Sequence, residues 1–180
     1  MRSCFLLIAA LAAAALVHAD TPCNCDPAQP DTMAARQCSL CAEAEKQPAD
    51  VEFFLLRDAN PHKPNRTLIL PRMHTPGPHA LAQLPPDLRA RFWSAAIAKA
   101  KELWGNDWAV AYNGDRVRTQ CHAHIHIGKL LPGVEFGNFV VVDSPAEIAV
   151  PPGEGVWVHP VAGKLHVHTG EQICETVLLR

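Results

Sequence analysis

Residues 118 to 128 read RTQCHAHIHIG and set His122, His124 and His126 on alternate positions. Imidazole ordinarily titrates at about 6.5, so near pH 7 such a row can ligate metal, attack as a neutral nucleophile, or simply form the polar face of a strand. Alternation in an extended strand turns the three rings to one side and Ala123, Ile125 and Ile127 to the other, towards a core. The preceding turn carries Asn113, Arg116, Arg118 and Gln120, so the row borders a prepared polar surface. A second His-x-His, His166 and His168, lies in the tail. A metal-binding β-domain built on His124, His126, His166 and His168 is therefore the main non-catalytic reading.

The elements that must position these residues follow from periodicity. VEFFLLRD (51–58) and RTLILPRM (66–73) read as two antiparallel strands around the turn ANPHKPN. Between Pro86 and Trp104 the apolar positions Leu88, Phe92, Ala96 and Leu103, flanked by Trp93, Ile97, Ala100 and Trp104, recur at helical spacing. Pro85 and Pro86 suit the helix start and Gly105 its end. WAVAYN (108–113), CHAHIHIGKLL (121–131), FGNFVVVD, GVWVHP and KLHVHT read as further strands. Successive strands around one main helix predict an α+β domain.

The chain has 180 residues, 48% hydrophobic, with a net charge of -2, enough for one sizeable core and without the massed basic residues of a nucleic-acid binder. Arg2 followed by CFLLIAALAAAALV and the small residues of HAD predicts a signal peptide over 1–19. The run is short and alanine-rich for an uncleaved membrane anchor. Residues 20–37 read as a loosely structured arm, and 38–180 as a single domain with its motifs in 38–131 and a C-terminal extension over 132–180. Cys4 leaves with the leader, and an exported chain then keeps Cys23, Cys25, Cys38, Cys41, Cys121 and Cys174. An even number favours disulfides in an oxidising compartment, while the CSLC motif can also hold zinc.

LRDANPHKPNRTLILPRMH (56–74) resembles the segment of histidine-triad nucleotide hydrolases that runs from an acidic strand end, through a turn, into a Thr-Leu-Val-Ile-Pro-Lys-x-His run. CSLC at 38–41 resembles the C-x-x-C of many bacterial members, and Asn113 and Gly114 stand where that superfamily has an Asn before its triplet. RTQCHAHIHI is similar to the triplet of CDP-diacylglycerol pyrophosphatases, an exported or membrane-associated branch, and EQICETVLL is similar to that branch's C-terminus. The chain combines features of two branches, because the second lacks the C-x-x-C. Asn65 and Arg66 also replace the usual Gly-His.

The resemblance implies a histidine-triad-like antiparallel sheet with one main helix and extra C-terminal strands. It implies hydrolysis of a nucleotide at its α-phosphate, with His124 as nucleophile and His126 at the attacked phosphate. Asn113 and Gln120 become the leading phosphate donors, Asp58 the residue near the ribose hydroxyls, and Arg118, Lys63 and Arg66 candidates for a second phosphate or an anionic leaving group. His122 would join Cys38, Cys41 and His74 on a structural zinc, against the alternative of a Cys38–Cys41 disulfide. No organic cofactor is implied. The expected partner is a small nucleotide or nucleotide-lipid, with CDP-alcohols first and dinucleoside polyphosphates or nucleoside phosphoramidates second. Contact with a membrane surface through a lipid substrate, and a homodimer, fit the same reading.

Overall fold

A computed structural model describes residues 23–74, 80–135 and 137–180, so the expected leader lies outside the described residues. The chain is an α+β structure around one seven-stranded antiparallel sheet. In chain order the strands are β1 (Phe53–Arg57), β2 (Thr67–Pro71), β3 (Trp108–Tyr112), β4 (Ile125–Lys129), β5 (Phe139–Val142), β6 (Val156–Val161) and β7 (Lys164–Thr169). Across the sheet they run β1-β2-β4-β3-β6-β7-β5. The helices are α1 (Pro30–Met33), α2 (Ser39–Glu45) and α3 (Pro86–Trp104).

The helix expected from periodicity spans the expected residues. Pro86 supplies a pre-set φ where no amide donor is needed, and Gly105 ends the helix at φ 58°, a conformation L side chains resist. The face bearing Leu88, Phe92, Trp93, Ala96, Ile97 and Ala100 is buried against Ile69, Val110, Ile125, Ile127, Val158 and Val167. Leu103, read as part of that face, is instead 43% exposed. It borders a surface groove with Leu55 and Trp104. Burial of each large side chain contributes roughly 1.5–3 kcal/mol, so this layer fixes which side of the sheet remains for polar residues.

That other side is ordered in rows. Leu68, His126, Ala111, Trp157, His168 and Phe139 are successive cross-strand partners from β2 to β5. Side chains paired in this way share a face, so His126 and His168 look the same way. The strands β3 and β6 separate them, which at ~4.8 Å per strand sets them roughly 14 Å apart. The mixed metal site of His124, His126, His166 and His168 is thereby corrected: the two pairs stand on strands too distant to share an ion.

The triplet is not one continuous strand either. Its ladder to β2 pairs Ile69 with Ile125, Leu68 with His126 and Thr67 with Ile127. Carried further, it would bring Pro71 opposite Ala123, and proline has no amide hydrogen to donate. The strand accordingly begins at Ile125. His122 and His124 occupy the bend before it, and the chain there is tied to the N-terminal arm.

The described part of the arm, read from the sequence as loosely structured and pinned by its cysteines, is tied down by two of them. Disulfides join Cys23 to Cys121 and Cys25 to Cys38, and the Cys121 amide donates to the Gln37 carbonyl at 2.8 Å. The tail folds back as well: Gly155 lies so close that an added Cβ would sit 2.5 Å from Cys174 Sγ. That approach seats the turn Cys174–Val177 over β3 and β6.

Candidate active site

His124 and His126 line a cleft of about 760 Å³ whose walls come from α2, the β1–β2 turn, the loop before the triplet and the C-terminal turn. Both rings are nearly buried, at 7% and 6% exposure. His124 Nδ1 donates to the carbonyl of His122 at 2.8 Å. A carbonyl only accepts, so the proton sits on Nδ1 and the lone pair on Nε2. Burial is the main cause that lowers the His124 pKa below 6.5; Arg118 adds to it, while the His122 carbonyl, Glu175 and Asp58 oppose it. A buried imidazole of fixed tautomer, neutral near pH 7, has the form a nucleophile needs.

The His126 ring meets His124 edge-on, with centroids 5.0 Å apart. Neither of its ring nitrogens has a hydrogen-bond partner among the described residues. Burial, His124, Lys63 and Arg66 together hold its pKa well below 6.5. Buried polar atoms are normally satisfied, so this ring is suited to bonding a ligand oxygen. A phosphate beside it would favour its charged form.

Glu175 is the residue sequence reasoning missed. Its carboxylate lies 2.6 Å from Lys63 Nζ, 2.7 Å from Arg66 Nη1 and 3.6 Å from His126 Nδ1. Its backbone amide donates to Asn113 Oδ1 at 3.0 Å. A lone acid in the tail has no spacing that ties it to a triplet on β4, so only the fold reveals it. Asp58, His126 and Glu175 together also form a grouping able to hold a metal ion.

The remaining expected site residues divide into lining and supporting groups. Asn113, Gln120, Asp58, Arg118 and Lys63 line the cleft with the two histidines. Asp58 shapes the turn by accepting from the Asn60 amide at 2.9 Å. Gln120 accepts from Ser39 Oγ at 2.9 Å and donates to the Arg36 carbonyl at 3.1 Å, so it anchors the start of α2. Arg118 pairs with Asp115 at 2.9 Å and lies over the Tyr112 ring. Arg66 is not at the cleft surface. It is 2% exposed, and besides Glu175 it donates to the Leu178 carbonyl at 2.8 Å, pinning the tail.

The expected Cys38, Cys41, His74 and His122 set is corrected at one position. Cys38 is bonded to Cys25, which removes it both as a zinc ligand and as the disulfide partner of Cys41. The ligand atoms of Cys41, His74 and His122 do lie within 4.8 Å of one another, a grouping able to hold a metal. His122 Nε2 donates to the Pro71 carbonyl at 2.8 Å, and His74 Nδ1 to Glu45 at 2.9 Å. These bonds direct the lone pairs to His122 Nδ1 and His74 Nε2, an arrangement common behind metal-ligating imidazoles. Burial, with Glu45 adding, pushes the Cys41 thiol up to about 12. A cation would be needed to hold it as thiolate.

His122 thus faces a different set of partners from His124 and His126. A further grouping, Glu135, His159, His166 and His168, stands on the β6–β7 side of the same sheet face. The chain matches no protein-family model. No curated protein matches it significantly.

Proposed function

We propose that this chain is an exported hydrolase of nucleotide phosphoanhydrides, of the histidine-triad type, acting at the α-phosphate. The observation that carries the reading is the His124 ring, held by the His122 carbonyl with its Nε2 lone pair available for attack, in a cleft shared with His126. In the first step Nε2 attacks the α-phosphorus, a nitrogen–phosphorus bond forms, and the phosphoanhydride bond to the leaving phosphate breaks. The His122 carbonyl stabilises the positive charge that develops on the ring. His126 hydrogen-bonds a non-bridging oxygen, and Asn113 lines the same cleft. In the second step water attacks phosphorus and loses a proton to solvent, the bond to nitrogen breaks, the nucleoside monophosphate leaves and His124 returns neutral.

A CDP-alcohol or CDP-diacylglycerol diphosphate is the first choice of substrate, supported by the RTQCHAHIHI likeness. Dinucleoside polyphosphates and nucleoside phosphoramidates come second. Lys63, paired with Glu175 in the cleft, would bind the second phosphate on exchanging partners. The two disulfides are compatible with export. Zinc is the metal proposed for Cys41, His74 and His122, because a thiolate and two imidazoles suit it, and its role there is structural.

Turnover of a panel of CDP-alcohols, dinucleoside polyphosphates and phosphoramidates tests the reading. His124→Ala is expected to lower kcat on the order of 10⁴-fold or more with the fold and metal content retained. Loss of bound metal together with activity would favour a metal role for His124 instead.

A further inference from the structure

On β6 and β7, away from the cleft, three imidazoles converge edge to edge. His159 and His168 are buried, at 3% and 1% exposure, and their Nε2 atoms lie 3.2 Å apart. His166 is the cross-strand partner of His159, and its Nδ1 bonds the Glu135 carboxylate at 2.6 Å. One ligand atom from each of the four residues falls within 4.8 Å of the others.

Packing accounts for the ring faces, while the His159 and His168 edges meet in a 3.2 Å Nε2–Nε2 hydrogen bond that a shared ion would replace. His168 stacks on Trp157 with centroids 3.6 Å apart, and His166 on Phe139 at 4.6 Å. Stacking alone would be served as well by apolar rings, without the cost of burying polar nitrogens. Tetrahedral bonds of about 2.0–2.1 Å to one ion set two imidazole nitrogens roughly 3.3–3.4 Å apart, close to the spacing of His159 and His168.

We propose that His159, His166, His168 and Glu135 form a second metal site, for a late first-row divalent cation such as Zn²⁺, independent of the nucleotide cleft. Three nitrogens and one carboxylate oxygen suit Zn²⁺, Ni²⁺ or Cu²⁺ rather than Mg²⁺ or Ca²⁺, which take oxygen donors. Glu135 is the exposed member and would be the fourth ligand, on the side where an ion could enter. The bound ion would tie β6 and β7 to the segment leading into β5.

Co²⁺ titration of the full chain tests this, read by visible absorption and by quenching of tryptophan fluorescence, since Trp157 lies against His168. The expected result is Co²⁺ binding with d–d bands and tryptophan quenching that survives Cys41→Ser and His126→Ala. His166→Ala is expected to weaken that binding by about 100-fold or more, and Glu135→Gln by about tenfold. Glu135 is exposed, so its conservative variant keeps the test valid should His166→Ala fail to fold. Unchanged affinity and quenching in folded His166→Ala or in Glu135→Gln would overturn the proposal. So would Co²⁺ binding confined to a site with thiolate charge-transfer absorption.

Discussion

At the scale of single residues, three neighbouring histidines are held in three different ways. His122 is bonded to the Pro71 carbonyl, His124 to the His122 carbonyl, and His126 meets neither kind of acceptor. The sequence makes the three equivalent by alternation, and only the surrounding motifs divide them. The proposed chemistry requires neutral His124, and its folded pKa lies below 6.5. As pH falls through 6.5 the ring therefore stays reactive, and activity is lost only through the depressed value. The acidic limb of a kcat/KM profile is expected to have its midpoint below 6.5. A midpoint at or above that value would mean that another group controls the step.

At the scale of elements, nearly every described strand and the long helix α3 were legible, because periodicity reports burial directly. Pro86, the Leu88–Ala100 stripe and Gly105 bound α3 where it stands. What was illegible depended on contacts between distant segments. The start of β4 is set by Pro71 across the ladder, the arm by Cys23 and Cys25, and the cleft's acid by a tail residue, Glu175. The metal grouping of Cys41 on α2, His74 after β2 and His122 before β4 belongs to this scale, for it would join three elements. Elemental analysis is expected to show that Cys41→Ser removes a zinc equivalent that Cys38→Ser retains. Loss of that zinc on Cys38→Ser as well as on Cys41→Ser would restore the original ligand set and argue against the Cys25–Cys38 pairing.

At the scale of the whole molecule, a sheet with α3 on one face leaves its other face for two histidine clusters, kept apart by Ala111 on β3 and Trp157 on β6. The N-terminal arm and the C-terminal turn complete the cleft from opposite ends of the chain. No helix among the described residues is long and apolar enough to cross a membrane. The Cys23–Cys121 bond spans 98 residues and Cys25–Cys38 spans 13. Chain-entropy reasoning gives about 4–5 kcal/mol for the longer closure and about 3 for the shorter. Replacing Cys23 and Cys121 by alanine is expected to lower the urea-unfolding free energy more than replacing Cys25 and Cys38. It is also expected to weaken turnover, since Cys121 precedes His122 and steadies the bend that orients His124. Equal or reversed losses would show that the arm adds little to the order of the triplet.

Attack by His124 on phosphorus is tested by chemical trapping of the intermediate. The protein is quenched in alkali during turnover of a CDP-alcohol and its peptides are mapped by mass. A cytidylyl group is expected on the peptide carrying His124, absent from His124→Ala and retained in a Cys41→Ser control. Turnover at the wild-type rate by His124→Ala, or a cytidylyl group on any other residue, would contradict attack by His124.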